Sequence, residues 1–145
     1  ECMADQPSSV LFVCTFNAIR SPMAEALLRD KAEKAGWELT VSSAGVHTQL
    51  TDGFAIRVMQ DIGLDMSHHE GQALSDVALQ DIDLVITMSD PARMFMMHFA
   101  AGLPIEIEHW QIVEPGSAEY ETAEDQVAKL ASIRDSIREK IDQRF

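Results

Sequence analysis

The sequence predicts an α/β protein: a three-layer sandwich in which a four-stranded parallel sheet carries helices on both faces. Short apolar segments typical of buried strands alternate along the chain with longer segments whose apolar residues recur at helical spacing. This alternation is typical of a parallel sheet connected by right-handed crossovers. A length of 145 residues and an apolar fraction of 46% fit one domain with a substantial core.

Four strands are expected in chain order. The first is the apolar run 10–13, and the second is the alternating segment 37–42, which follows Gly36. The third, 82–88, is apolar almost throughout and is therefore expected to be buried on both faces. The fourth, 103–107, is shorter and alternates apolar with polar residues.

Four helices are expected between and after these strands. The first starts at Pro22 with Ser21 as its N-cap, because proline is favoured at the first helical position and serine just before it. Gly63 and Gly102 are expected to end the second and third helices. The expected apolar faces are Ala24, Leu27, Leu28 and Ala35; then Phe54, Val58, Met59 and Ile62; then Met94, Met97 and His98 after Pro91; and finally Ala123, Val127, Leu130, Ile133, Ile137 and Ile141.

The segment that joins the first strand to the first helix carries the chemistry. Cys14 heads it and Arg20 closes it, with five residues between them. Amides of such a loop and the following helix N-terminus present partial positive charge to one place, which suits an oxyanion such as phosphate. Arg20 adds paired donors that match phosphate oxygens, and a thiol in that field becomes a nucleophilic thiolate. The residues of this oxyanion loop are Cys14, Thr15, Phe16, Asn17, Ala18, Ile19 and Arg20. The alternative is an inert buried Cys14 and a surface Arg20.

The residues 10–26 resemble the start of the low-molecular-weight protein tyrosine phosphatases, with Val-Leu-Phe-Val-Cys-x-x-Asn-x-x-Arg-Ser-Pro-Met-Ala-Glu-Ala. The resemblance continues at 42–45, 66–68 and 83–88, and more weakly at 109–110 and 114–115. It implies a single domain over residues 8–145 and the sheet order 2-1-3-4. The polar residues 1–7 are expected to form a flexible tail.

The resemblance also implies roles for individual residues. Cys14 would attack phosphorus and form a phosphocysteine, Arg20 would hold two phosphoryl oxygens, and Ser21 would donate a hydrogen bond to the departing thiolate. Asn17, which tolerates left-handed dihedral angles, would shape the loop with Ser43 and His68 as partners. The alternatives are that Ser21 is only an N-cap and that His68 is a partly exposed histidine without a role.

The general acid is a position at which this sequence departs from the family. The family takes this group from an aspartate before a proline, and here Glu114 precedes Pro115. Glu114 could protonate a leaving oxygen and later activate water, or it could be an ordinary loop glutamate. Phe16 replaces the usual loop glycine, and Ile19 replaces the second loop cysteine of many members. The aromatic pair that usually follows the acid is absent at 116–119, which weakens the case for phosphotyrosine.

The predicted function is therefore phosphomonoester hydrolysis, on phosphotyrosine in proteins or on small aryl phosphates, with no cofactor and no metal site. An arsenate reductase that uses an external thiol is the first alternative, since no cysteine follows Cys14. A non-catalytic phosphate- or phosphopeptide-binding module is the second. The net charge of −13 argues against a nucleic-acid partner, and no apolar segment is long enough for a membrane span. The need for a free thiol fits the cytoplasm.

Overall fold

A computed structural model describes residues 6–116 and 121–145 of the chain. They contain a four-stranded parallel sheet in the order β2-β1-β3-β4, flanked by helices on both faces. The fold class and the strand order predicted from the sequence are confirmed. Residues 1–5 of the expected N-terminal tail lie outside the described part. The strands are β1 (Ser9–Cys14), β2 (Thr40–Gly45), β3 (Leu84–Thr87) and β4 (Glu106–His109).

Pairing with neighbouring strands sets the strand boundaries. β2 begins three residues later than predicted, because Thr40 pairs with Ser9 and Gly45 pairs with Cys14 at the end of β1. β4 is likewise shifted along the chain, since its residues 106–109 pair in register with 84–87 of β3. The carboxyl ends of β1, β2 and β3 therefore meet at one edge, where sites of this fold class lie.

The two faces of β1 pack into two separate hydrophobic cores. Val10 and Phe12 pack toward one layer of three helices, and Leu11 and Val13 pack toward the opposite layer. The first layer contains α1 (Arg20–Ala35), α2 (Gly53–Gln60) and α4 (Ala123–Arg144), and the second contains α3 (Asp90–Phe99). Among the helices of the described residues, none is at once long enough and apolar enough to cross a membrane.

The start of α1 differs from the prediction. The helix begins at Arg20, two residues before Pro22, and its N-cap position is Ile19, which makes no capping hydrogen bond through its side chain. Ser21 is therefore not an N-cap, and that interpretation is wrong. The other helices are capped by side chains, namely Asp52 for α2, Ser89 for α3 and Thr122 for α4.

The apolar face of α3 was also predicted incorrectly. Ala92 and Met96 face the sheet and are fully buried, whereas Met94 and Met97 are 69% and 68% exposed. The helix begins at the Ser89 cap, and this start turns the positions 92 and 96 toward β1 and β3. Residues 91–99 are apolar on more than one side, so periodicity alone could not select the buried face.

Candidate active site

The oxyanion loop leaves the carboxyl end of β1 and is held from outside through its carbonyl groups. Amides of the segment 46–52 donate to the carbonyls of Cys14 (3.1 Å), Thr15 (2.8 Å), Phe16 (3.1 Å) and Ala18 (3.1 Å). No amide of residues 15–19 donates a hydrogen bond to another described residue. Because the carbonyls are engaged and the amides are not, the loop has a set of donors available for an anion.

Cys14 lies at the base of this loop and is 2% exposed. Its Sγ is 2.8 Å from the Oγ of Ser21, which also lies 3.4 Å from the carbonyl oxygen of Ala44. The Ser21 hydroxyl has one proton, so it can donate to only one of these two atoms at a time. An ionised Cys14 accepts a hydrogen bond from the Ser21 hydroxyl. A protonated Cys14 can instead donate to Ser21, whose hydroxyl is then available to donate to the Ala44 carbonyl oxygen. Ser21 is therefore placed to respond to the charge on the sulfur.

Asn17 organises the centre of the loop. Its backbone φ is +54°, in the left-handed region expected from the sequence, and its side chain is fully buried. Nδ2 donates to the hydroxyls of Ser21 and Ser43, both at 2.9 Å. Oδ1 accepts from the amide of Gln72 and pairs with Nε2 of His69, both at 3.1 Å. All four partners fix the amide orientation, so the loop cannot change shape without breaking this network.

His69, not His68, is the histidine of this network, and the assignment of His68 is wrong. His68 is exposed and has no side-chain hydrogen bond to another described residue. The sequence alone does not show which of two adjacent histidines contacts Asn17. The path of the backbone after Met66 turns His69, and not His68, toward Asn17. The opposite ring nitrogen of His69, Nδ1, lies 3.8 Å from Oε1 of Glu25, which also accepts from the Ser43 hydroxyl at 2.5 Å.

Arg20 connects the loop to β3. Its side chain is buried, and Nη1 donates to the carbonyl oxygen of Met88 at 3.0 Å. Met88 is itself bound to β1, since its amide donates to the carbonyl oxygen of Val13 at 2.8 Å. Thr15 adds a second connection, because its hydroxyl donates to Ser89 at 3.0 Å. The guanidinium is thus held at the same sheet edge as the thiol.

A cleft of about 490 Å³ opens above the loop, and Cys14, Arg20 and Glu114 all line it. Glu114 is exposed, and it also lines a smaller cleft of about 210 Å³ beyond Arg20, together with Asp90 and His109. The structure therefore brings Glu114 to the site predicted for it. Residues 117–120, which include most of the segment where the aromatic pair is missing, lie outside the described residues.

The sequence did not indicate that Gly45 is part of the site. An ideal Cβ on Gly45 would lie 2.2 Å from the carbonyl oxygen of His47 and 2.8 Å from both the Asn17 nitrogen and the Phe16 carbonyl carbon. Real Cβ atoms do not approach backbone so closely. The oxyanion loop therefore packs directly on the bare face of this glycine.

Comparison with known proteins places this geometry in a family. The family model "Low molecular weight phosphotyrosine protein phosphatase" matches residues 9–145. An arsenate reductase of Bacillus licheniformis is 31% identical over 137 residues, which are 92% of this chain and 91% of that protein. The low molecular weight protein-tyrosine-phosphatase Ptp of Acinetobacter johnsonii is 35% identical over 112 residues, covering 73% and 76% of the two chains.

A solved structure supports the same architecture. The tyrosine phosphatase AmsI of Erwinia amylovora superposes with a TM-score of 0.75 at 20% identity, over 99% of this chain and 96% of that one. At that identity the likeness shows the fold alone. The family match covers the sheet, all four helices and the oxyanion loop. The chain therefore belongs to the low molecular weight phosphotyrosine protein phosphatase family.

Proposed function

We propose that this chain hydrolyses phosphomonoesters through a phosphocysteine intermediate, with phosphotyrosine in proteins or small aryl phosphates as substrates. The observation that carries the proposal is the position of the Cys14 sulfur. It lies at the base of a loop whose amides have no partner among the described residues, 2.8 Å from the Ser21 hydroxyl, in one cleft with Arg20. A thiolate there can attack a phosphorus atom whose oxygens are held by those amides.

In the first step Cys14 displaces the alcohol or phenol from phosphorus. Arg20 and the loop amides stabilise the charge that spreads over the equatorial oxygens of a loose transition state. Glu114 protonates the leaving oxygen, because its carboxyl group lines the same cleft as the thiol and the guanidinium. The product is a phosphoryl group on Sγ.

In the second step water releases phosphate. The carboxylate left on Glu114 takes a proton from the water, which then attacks phosphorus. Sγ departs as a thiolate, and the Ser21 hydroxyl donates to it across the 2.8 Å contact. Donation to a charged acceptor is stronger than donation to the neutral Ala44 carbonyl, so this bond favours the departure.

The residues around Asn17 position the loop and do not react. Ser43 and His69 hold the Asn17 amide, and Glu25 accepts from Ser43. His69 takes the part that the sequence resemblance had given to His68. Loss of any one of these contacts would loosen the loop that aligns Cys14 with the oxyanion.

Other proteins of this fold support oxyanion binding. An arsenate reductase is described in a phosphate-binding state, and Wzb of Vibrio vulnificus is described in complex with benzylphosphonate. We infer that the same loop binds phosphate here. A reducing compartment such as the cytoplasm would keep Cys14 free for this chemistry.

Arsenate reduction is the second candidate function, because curated relatives about 30% identical over most of the chain carry that name. The sequence contains only one cysteine besides Cys14, namely Cys2. A reductase of this sequence would therefore need an external thiol as its source of electrons. It would use the same oxyanion loop with arsenate in place of phosphate.

One preparation tested in two assays distinguishes these functions. Phosphatase function predicts turnover of p-nitrophenyl phosphate and no arsenite release from arsenate in the presence of glutathione or thioredoxin. Arsenite release with negligible phosphate ester turnover would establish the reductase instead. Inactivity in both assays, with tight vanadate binding retained, would identify a phosphate-binding module.

A further inference from the structure

An aromatic side chain stands within the oxyanion loop itself. Phe16, two residues after Cys14, lines the main cleft and is 41% exposed. Phe16 therefore contributes an apolar ring to the lining of the cleft that leads to Cys14. Its backbone has an ordinary negative φ, and the positive φ within the loop belongs to Asn17.

The Phe16 ring lies beside the ring of His47. Its ring centroid is 6.0 Å from that of His47, with an interplanar angle of 33°, a separation typical of interacting aromatic pairs. Both residues are fixed through the backbone, since the Thr15 carbonyl accepts from the His47 amide and the Phe16 carbonyl accepts from the Gln49 amide. The ring therefore moves with the loop that holds the phosphoryl group.

The remaining lining residues restrict what the leaving group can be. Ala18, Ile19 and Pro115 provide apolar surface, while Asp52 and Glu114 provide carboxyl groups. Arg20 is the only basic residue among the described residues that line this cleft. Because Arg20 would hold the phosphoryl oxygens, a leaving group with a second negative charge would face the Asp52 carboxylate without a cation of its own, so a neutral, flat and apolar group fits best.

We propose that Phe16, supported by His47, is the residue that recognises the leaving group, and that it selects aryl over alkyl phosphates by ring contact. This inference rests on the proposed phosphatase function and identifies a specificity determinant of that same site. Phe16 does not enter the chemistry on phosphorus. The contact between two rings forms only when the group bonded to the phosphoryl moiety is itself aromatic.

The test uses binding, so that it does not depend on turnover. In the Cys14→Ser background, benzylphosphonate and methylphosphonate are titrated by NMR with and without Phe16→Leu. Leucine keeps apolar bulk and removes the ring. The matched control is Phe99→Leu, because Phe99 is similarly exposed (44%) but lies on α3 and does not line the cleft.

Phe16→Leu should weaken benzylphosphonate about 3- to 10-fold, as expected for one aromatic contact. It should change methylphosphonate by less than about twofold, and Phe99→Leu should change neither, because in these cases no contact between a protein ring and the ring of the ligand is lost. Equal losses for both phosphonates, or no loss for either, would overturn the role of Phe16 while leaving the phosphatase proposal intact. Failure of the Cys14→Ser protein to bind vanadate or either phosphonate would instead contradict the proposed function.

Discussion

The packing of the oxyanion loop on Gly45 predicts the effect of a substitution there, and the distances set its expected magnitude. In Gly45→Ala the new methyl carbon would lie 2.8 Å from the Asn17 nitrogen and the Phe16 carbonyl carbon and 2.2 Å from the His47 oxygen. Non-bonded heavy atoms prefer separations of about 3.5 Å. The loop or the segment after β2 must therefore move by about 1 Å.

Such a shift should affect catalysis more than folding. A misplacement of about 1 Å at a reacting centre can cost about 10²-fold in rate. Overpacking a well-packed site typically costs about 1–3 kcal/mol of stability, which a domain of this size can tolerate. We expect Gly45→Ala to stay folded, with a free energy of unfolding lower by about that amount, and to lose about 10²-fold in kcat.

Gly53→Ala is the matched control, since an ideal Cβ there has nothing within 4 Å and the residue opens α2. The measurements are steady-state hydrolysis of p-nitrophenyl phosphate, vanadate affinity and urea unfolding of both variants. Gly53→Ala should match the wild type in rate and be equal or slightly higher in stability, because alanine is the better helix former. If Gly45→Ala also retained wild-type kcat, the close packing of the loop on Gly45 would not be what positions Cys14.

Three further substitutions test the proposed catalytic groups. Cys14→Ser should abolish turnover while vanadate still binds, because the loop amides remain; activity above a tenth of wild type would argue against Cys14 as the nucleophile. Arg20→Lys should lose about 10²-fold or more in kcat/KM, since an ammonium group cannot reproduce two parallel donors. Glu114→Gln should slow the first step, measured as the initial burst of leaving-group release, by about 10²-fold for phenyl phosphate and much less for p-nitrophenyl phosphate, because p-nitrophenolate leaves without a proton. Equal small losses on both esters would mean that Glu114 is structural.

The sheet could be predicted from the sequence because its signals are local. Few interpretations other than a buried strand fit the apolar run that forms β1 or the apolar segment that contains β3. The loop between Cys14 and Arg20 has a recognisable spacing. The boundaries of β2 and β4 could not be predicted, since they depend on which residues of β1 and β3 they pair with. The buried face of α3 likewise depends on where Ser89 caps the helix.

The support of the oxyanion loop could be predicted only in part. Asn17 and Ser43 are distinctive in their contexts, but choosing between His68 and His69 requires the path of the backbone. Nothing in the sequence distinguishes Glu25 from other helix residues. Its hydrogen bond from the Ser43 hydroxyl joins positions 18 residues apart, so it depends on the tertiary structure. The sequence predicts Ser21 as the N-cap of α1, either alone or together with donation to the sulfur of Cys14, and the early start of α1 removes the capping role.

The central claim is that a phosphoryl group passes through the sulfur of Cys14. Rapid denaturation in detergent at alkaline pH during turnover of p-nitrophenyl phosphate, followed by mass spectrometry of the peptides, tests it directly. We predict one phosphoryl group on the peptide that contains Cys14, more of it in a Glu114→Gln protein whose hydrolysis step is slowed, and none in Cys14→Ala, which has no nucleophilic atom at this position. Sustained turnover with no phosphorylated Cys14 peptide in either active protein would contradict the claim.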